Sequence, residues 1–257
     1  MVEAVIFDWA GTTVDYGCFA PVQAFIETFR AAGVEPTMEE TRAPMGMLKI
    51  DHIRAMLAGE RIKAEWERVH GHAPDEGDVQ ALYIPYEERL LSILDNFATP
   101  KPHVLEAVSE LRAAGVKIGS TTGYNDKMMA IVEPCAAEQG YRPDFSVTPD
   151  AVGGHGRPYP YMIFRNMEAL GCSDVRRVAK VGDTVSDVRE GLAAGVISIS
   201  VIEGSSEMGL SQAEYEALST DERDVACERV AATFRAAGAT AVIRAMAELP
   251  ALLAQLA

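Results

Sequence analysis

The residues best placed by type and setting to do chemistry are an aspartate and its companions at the ends of short apolar runs. The first run, Ala4-Val5-Ile6-Phe7, leads straight into Asp8-Trp9-Ala10-Gly11-Thr12-Thr13-Val14. A carboxylate at such a position can attack phosphorus and form an aspartyl-phosphate. The glycine that follows lets the backbone turn tightly. Taken alone, Asp8 reads more readily as an aspartate capping a turn. Three further segments change that reading. Lys117-Ile118-Gly119-Ser120-Thr121 ends in Thr121-Thr122-Gly123-Tyr124, a hydroxyl and a flexible backbone amide suited to phosphate oxygens. Gly156-Arg157-Pro158-Tyr159-Pro160 sets a cation just before a proline-marked helix start. Val178-Ala179-Lys180-Val181 leads into Gly182-Asp183-Thr184-Val185-Ser186-Asp187, again carboxylates after an apolar run. Asp8 and Asp183 offer hard oxygen ligands, which select magnesium over zinc. One such ion would offset the repulsion between a carboxylate nucleophile and an anionic phosphoryl group.

The elements that must position these residues alternate. Strands are expected at Ala4 to Phe7, Lys117 to Thr121, Phe145 to Val147, Val178 to Val181 and Val196 to Ile202. Helical stretches lie between them, such as Val104 to Ala114, where Val104, Leu105, Val108 and Leu111 keep helical spacing. This alternation predicts an α/β fold, a Rossmann-like parallel sheet covered on both faces, with ligands outside the carboxyl ends of the strands. The recurring Ala-Ala-Gly-Val at Ala31, Ala113 and Ala193 marks helix ends and not a repeat architecture, because its spacing is irregular.

Residues 19–98 break the alternation with helical patterns only, at Pro21 to Ala32, Met47 to Leu57, Ala64 to Val69 and Val79 to Leu94. Asp15-Tyr16-Gly17-Cys18 and Thr99-Pro100-Lys101-Pro102 border the stretch. The expected organisation is a catalytic core from residues 1–18 and 99–257, with an inserted α-helical cap over 19–98.

Composition excludes several classes. Of 257 residues, 48% are hydrophobic and 24% charged, so a sizeable core can be buried and disorder is excluded. No run approaches the ~18 apolar residues of a membrane span. Met1-Val2-Glu3-Ala4 carries no basic stretch of a secretory signal. The net charge is 23 − 38 = −15, which would repel phosphate backbones, so neither nucleic acid nor membrane is an expected partner. The cysteines Cys18, Cys135, Cys172 and Cys227 lie far apart with no C-x-x-C pair, which fits a reducing cytoplasm and offers no thiolate metal site.

The order D-x-x-G-T, T-T-G, a basic residue before P-x-P, and G-D-x-x-x-D resembles the haloacid dehalogenase superfamily, over essentially the whole chain. The resemblance implies Asp8 as nucleophile and one magnesium ion per subunit held by Asp8, the carbonyl of Ala10 and Asp183. It also implies Thr122, Gly123 and Arg157 around the phosphoryl group, and Asp187 supporting the metal from behind.

One departure bears on the substrate. Phosphatases of this superfamily carry a second aspartate two residues after the nucleophile, as acid for the leaving alkoxide; here that position is Ala10, which cannot donate a proton. In Met45-Gly46-Met47-Leu48-Lys49-Ile50-Asp51-His52, positions 45, 49 and 52 fall on one face if the stretch is helical. A lysine amine can form a Schiff base with a carbonyl. The longer matches, Phe7 to Gly17, Pro44 to His52, Ile118 to Tyr124 and Lys180 to Asp187, resemble the branch of the superfamily that breaks carbon–phosphorus bonds. That branch implies a small phosphonate aldehyde as substrate, a Schiff base on Lys49, and a homodimer. His52 is then expected to shuttle protons, Met45 and Cys18 to shape the pocket with Tyr124 in support, and the Lys49 pKa to be depressed.

The His70 and His72 pair, without carboxyl or thiol spacing nearby, is not expected to hold a metal, and Trp9 and Trp66 read as packing residues. No dinucleotide, P-loop or serine-hydrolase signature occurs. Two rival readings remain: a sugar-phosphate phosphatase or mutase, disfavoured by Ala10 and Lys49, and a non-catalytic binding protein, disfavoured by an intact Asp8, Thr122, Arg157 and Asp183.

Overall fold

The apolar runs become strands because each is too short for a helix and is bounded by turn residues. In the computed structural model, which describes residues 2–256, they form β1 (Ala4–Phe7), β2 (Lys117–Thr121), β3 (Phe145–Val147), β4 (Val178–Gly182) and β5 (Ile197–Val201). A sixth strand, β6 (Ala241–Ile243), pairs with β5 from Ile199 to Val201. It is not among the strands expected from the sequence, although it has the same length as β3. All neighbours are parallel, in the order β3-β2-β1-β4-β5-β6, which is the doubly wound arrangement. β1 is buried along its whole length: Val5 and Phe7 join one apolar cluster, Ala4 and Ile6 the other. A strand covered on both faces must be apolar throughout.

Between β1 and β2 the chain is helical: α1 (Phe19–Ala31), α2 (Met38–Arg42), α3 (Lys49–Ala58), α4 (Glu60–His70) and α5 (Glu76–Leu91), then α6 (Val104–Ala113). The short α2 was not anticipated; it exists because Thr37 and Glu40 form a reciprocal capping box. The same device, Asp75 with Asp78, starts α5 earlier than its apolar pattern indicates. α1 and α3 both pack on α5. The segments leading into and out of this helical region run side by side. Val14 pairs with Pro100, and the Lys101 N–H donates to the Thr13 carbonyl at 2.8 Å.

The rest comprises α7 (Asp126–Glu138), α8 (Tyr161–Leu170), α9 (Val185–Ala194), α10 (Gln212–Ala217), α11 (Thr220–Ala237) and α12 (Leu249–Gln255). The Ala-Ala-Gly-Val motifs do close helices: α1, α6 and α9 end at Ala31, Ala113 and Ala194, and Gly195 takes φ 72° as the left-handed cap of α9. Among the described residues no helix is long and apolar enough to cross a membrane.

Candidate active site

Strand register brings the chemistry together. Phe7 lies opposite Ser120 on one side and Val181 on the other, so the residues that follow all three strands emerge at one end of the sheet. Asp8 stays on that track: its N–H donates to the Val181 carbonyl at 2.9 Å, and its own carbonyl accepts the Thr13 hydroxyl at 3.0 Å. The backbone then turns at Gly11 (φ 87°), where any Cβ would collide with the carboxylate of Asp183. The glycine is therefore required by close approach as well as by its dihedral. Asp183 is held from two sides, by the Thr12 hydroxyl at 2.9 Å and the Ser206 N–H at 2.7 Å.

The carboxylates of Asp8, Asp183 and Asp187 lie within 4.8 Å of one another, all buried. Burial, reinforced by the neighbouring charges of Asp8 and Asp187, raises the Asp183 pKa well above the carboxylate range. At Asp187 burial also pushes upward, but Arg157 and Lys180 more than offset it and the net shift is downward. Buried acids this crowded repel one another, and an all-oxygen donor set is the environment a hard divalent cation favours. The residues present fit magnesium.

Arg157 reaches this cluster from the loop before α8. Its Nη2 lies 2.5 Å from Asp8 Oδ1 and its Nη1 3.1 Å from Asp187 Oδ1, and both Nη2 and Lys180 Nζ donate to the Thr121 hydroxyl, at 3.0 and 2.8 Å. Thr122 behaves differently from its neighbour. Its hydroxyl oxygen accepts the Tyr124 N–H at 3.0 Å, which leaves the O–H free to donate to an anion. Gly123 is pressed under the helical region, since a Cβ there would stand 2.7 Å from the Met47 carbonyl oxygen.

Lys49 enters from that side. It is buried, its ammonium 5.2 Å from the centre of the Tyr124 ring. Burial lowers its pKa and Arg157 adds to the effect, against the opposing pull of Cys18, Asp8 and Asp183. The predicted helical face needs one correction. α3 begins at Lys49, flanked by Leu48, so Met45 lies in the turn before the helix and not on its face. Met45 is nevertheless buried, and its carbonyl accepts the Ser186 hydroxyl at 3.1 Å, which ties the turn to α9. His52 does share the first turns of α3 with Lys49. Its Nε2 lies 2.9 Å from the Thr41 carbonyl and its ring stacks on Phe25 at 3.9 Å. Donation to that carbonyl places the proton on Nε2 and leaves Nδ1 as the open nitrogen. Burial, then the charge of Lys49, keeps His52 neutral by lowering its pKa far below the usual value. Cys18 is buried at the start of α1 with φ 54°; burial and the charges of Asp15 and Asp183 push its thiol pKa up.

Several partners had no signal in the residue pattern read above. Thr121, Lys180 and Glu190 are fully buried around Arg157, and Thr12 and Ser206 hold Asp183. Lys180 did offer a clue, since a lysine in an otherwise apolar buried strand must find an anionic partner. Away from the site, Asp75 and Asp78 do approach His72, but both are committed to capping α5. Trp9 packs edge-on to Tyr141 and donates to the Ser120 hydroxyl at 2.9 Å, and Trp66 is buried against His70.

Comparison with known proteins agrees with this geometry. Residues 2–195 match the family model of the haloacid dehalogenase-like hydrolases. The chain is similar to a phosphonoacetaldehyde hydrolase of Lysinibacillus sphaericus (strain C3-41), 54% identical over 252 residues that cover 98% of this chain and 94% of that protein. It is equally similar, at 54% over 248 residues, to a bifunctional phosphonoacetaldehyde hydrolase/aminoethylphosphonate transaminase of Clostridioides difficile (strain 630); the match spans 96% of this chain but only 39% of that longer protein. The crystal structure of a phosphonoacetaldehyde hydrolase-like protein from Oleispira antarctica superposes with a TM-score of 0.95 at 38% identity, covering 99% of this chain and 92% of that one.

Proposed function

This chain belongs to the haloacid dehalogenase-like hydrolases, within them to the phosphonoacetaldehyde hydrolase family, and on that premise we propose that it breaks the carbon–phosphorus bond of phosphonoacetaldehyde in two covalent stages. The products are acetaldehyde and phosphate. The observation that carries the reading is a buried amine, Lys49 at the start of α3, placed over Tyr124 and near enough to Asp8, just after β1, for that carboxylate to act on its pKa.

The leaving group explains why both are needed. Attack on phosphorus alone would expel a carbanion, too basic to leave at neutral pH. If the neutral Lys49 amine first condenses with the aldehyde, losing water, the resulting iminium can accept the electron pair of the breaking bond. Asp8 then attacks phosphorus, the carbon–phosphorus bond breaks, and an enamine forms on Lys49 beside an aspartyl-phosphate on Asp8. Water hydrolyses the acyl phosphate to phosphate and restores Asp8. The enamine takes up a proton at carbon and the iminium is hydrolysed, which releases acetaldehyde and the free lysine.

Arg157, the Thr122 hydroxyl and the Gly123 amide bind the phosphoryl oxygens, and the open Nδ1 of His52 is the atom through which that residue moves a proton. Met45, Cys18 and Tyr124 close the pocket around the amine. Asp8, Asp183 and the carbonyl of Ala10 would hold magnesium, with Asp187 behind them. When bound, that ion supplies the positive charge that lets a carboxylate approach an anionic phosphoryl group. Residues 19–98 act as the cap that delivers Lys49 to the catalytic core. We take the working form to be a cytoplasmic homodimer in the breakdown of 2-aminoethylphosphonate, acting on the aldehyde that a transamination supplies, the activity joined to the hydrolase in the C. difficile relative.

Borohydride added with acetaldehyde tests the central step. A stable adduct on the peptide containing Lys49 is expected, and an adduct elsewhere, or none, would sink the Schiff base. The rival sugar-phosphate reading is tested on the same sample. Alanine stands where an acid would serve the leaving alkoxide, so kcat/KM on a sugar phosphate should fall at least about 100-fold below that on phosphonoacetaldehyde.

A further inference from the structure

Glu190, on α9, is fully buried and has no part in the steps above, yet one of its oxygens is where the cations of the site converge. Oε2 accepts Arg157 Nε–H at 2.9 Å and the Thr121 hydroxyl at 3.0 Å, with Lys180 Nζ 3.4 Å away. The three nitrogens of the Arg157 guanidinium therefore meet three different carboxylates: Nε meets Glu190, Nη1 meets Asp187 and Nη2 meets Asp8. Two of these acids have other duties. Asp8 must leave the pair to attack phosphorus, and Asp187 also caps α9 through the Thr184 hydroxyl at 2.5 Å. Glu190 has none.

A guanidinium is a planar fork, so anchoring its Nε fixes the plane in which the two terminal nitrogens point. Lys180 adds a second cation to these acids, 3.4 Å from the same Glu190 oxygen and 3.0 Å from Asp187 Oδ1, so Arg157 does not carry their charge alone. We propose that Glu190 is a positioning residue of the phosphoryl site: it grips Arg157 from behind, through Nε, so that Nη1 and Nη2 stay turned toward Asp8 and the group it attacks. The proposal rests on the reading of Arg157 as a phosphoryl-binding residue.

Two substitutions separate reach from charge. Glu190→Asp keeps the charge but withdraws the acceptor by one methylene, whereas Glu190→Gln loses the charge and keeps an acceptor in reach of Nε. Inorganic phosphate is titrated calorimetrically into each magnesium-loaded protein, so no turnover is needed. E190D should weaken phosphate binding roughly 10- to 100-fold, the scale on which outer partners that orient metal ligands act. E190Q should stay within a few-fold of the parent. Arg157→Lys should weaken binding as well, and adding E190D to it should cost nothing further, because lysine has no Nε–H to hold.

The reverse order, with E190Q weak and E190D intact, would overturn the proposal in favour of a charge effect. Additive losses in the double variant would also overturn it. Unchanged binding in Arg157→Lys would overturn both this proposal and the reading beneath it, whereas loss in Arg157→Lys with none in E190D would overturn this proposal alone. Should E190D not fold, E190Q decides by itself, since a loss beyond tenfold with the acceptor still in reach contradicts positioning.

Discussion

Nη2 of Arg157 stands 2.5 Å from Oδ1 of Asp8, and both side chains are almost sealed from solvent. The proposed nucleophile is thus paired with the cation that the proposed reaction turns toward phosphate. Asp8→Asn should lower turnover by more than about 10³-fold, as loss of a covalent nucleophile does. The variant should remain folded, because Arg157 keeps Asp187 and Glu190. Arg157→Ala is expected to behave oppositely. It leaves buried Asp8 without its ion-pair partner and Asp187 and Glu190 sharing Lys180 alone, and should cost about 3–5 kcal/mol in urea unfolding. Equal destabilisation by the two substitutions would contradict this account.

Lys49 carries a stability cost whose sign is fixed by its pKa. Burial lowers that pKa below the ordinary 10.5. Between the lowered value and 10.5 the unfolded chain binds more protons than the folded one, so stability rises with pH across that window. Lys49→Met removes the buried amine at similar volume. Its melting temperature should exceed the parent's, with the gain larger near pH 7 than near pH 10, while borohydride trapping disappears. A gain independent of pH would argue that burial does not lower the pKa of the amine.

The crowding of Asp8, Asp183 and Asp187 predicts a response to magnesium. Exhaustive chelation should silence the enzyme and Mg²⁺ restore it. Because the ion binds only the folded chain, a concentration of 100 times Kd should add about 2.7 kcal/mol of stability. Asp183→Asn should lose that response in thermal unfolding. Full activity after chelation would rule out the metal's part in the reaction.

Gly123 tests how closely the helical region must sit on the sheet. A methyl group there would stand 2.7 Å from the Met47 carbonyl, so Gly123→Ala must push the turn before α3 outward. The damage should fall on turnover, because misplacing the reacting groups by about 1 Å can cost on the order of 10²-fold. Folding should change little, since most of the core lies elsewhere. Melting temperature and kcat measured on one preparation separate the two effects.

The strands that carry the site were legible because short apolar runs bounded by turn residues are local signals. Asp8, Thr122 and Asp183 follow such runs directly. The face shared by Lys49 and His52 was legible from helical spacing, but Met45 was misplaced on it. The chain forms a turn at Pro44 to Leu48 before α3 begins, and periodicity cannot locate a helix start to the residue. α2 escaped because five residues are too few to show a helical period.

By itself the sequence determined the α/β alternation, the helical region after β1, the order of the segments proposed to bind the phosphoryl group, and the absence of an acid at Ala10. These depend on residue type and on neighbours a few positions away. Only the tertiary structure decided which charges face each other. Arg157 meets Asp8 across 149 positions and Glu190 across 33, and the Thr121 hydroxyl reaches Glu190 across 69. Such pairs leave no local periodicity, because they form where strand register and the close seating of the helical region bring the ends of separate elements to one point. The same burial that hides those ions from water lowers the pKa of Lys49, and burial is a property of the packed chain.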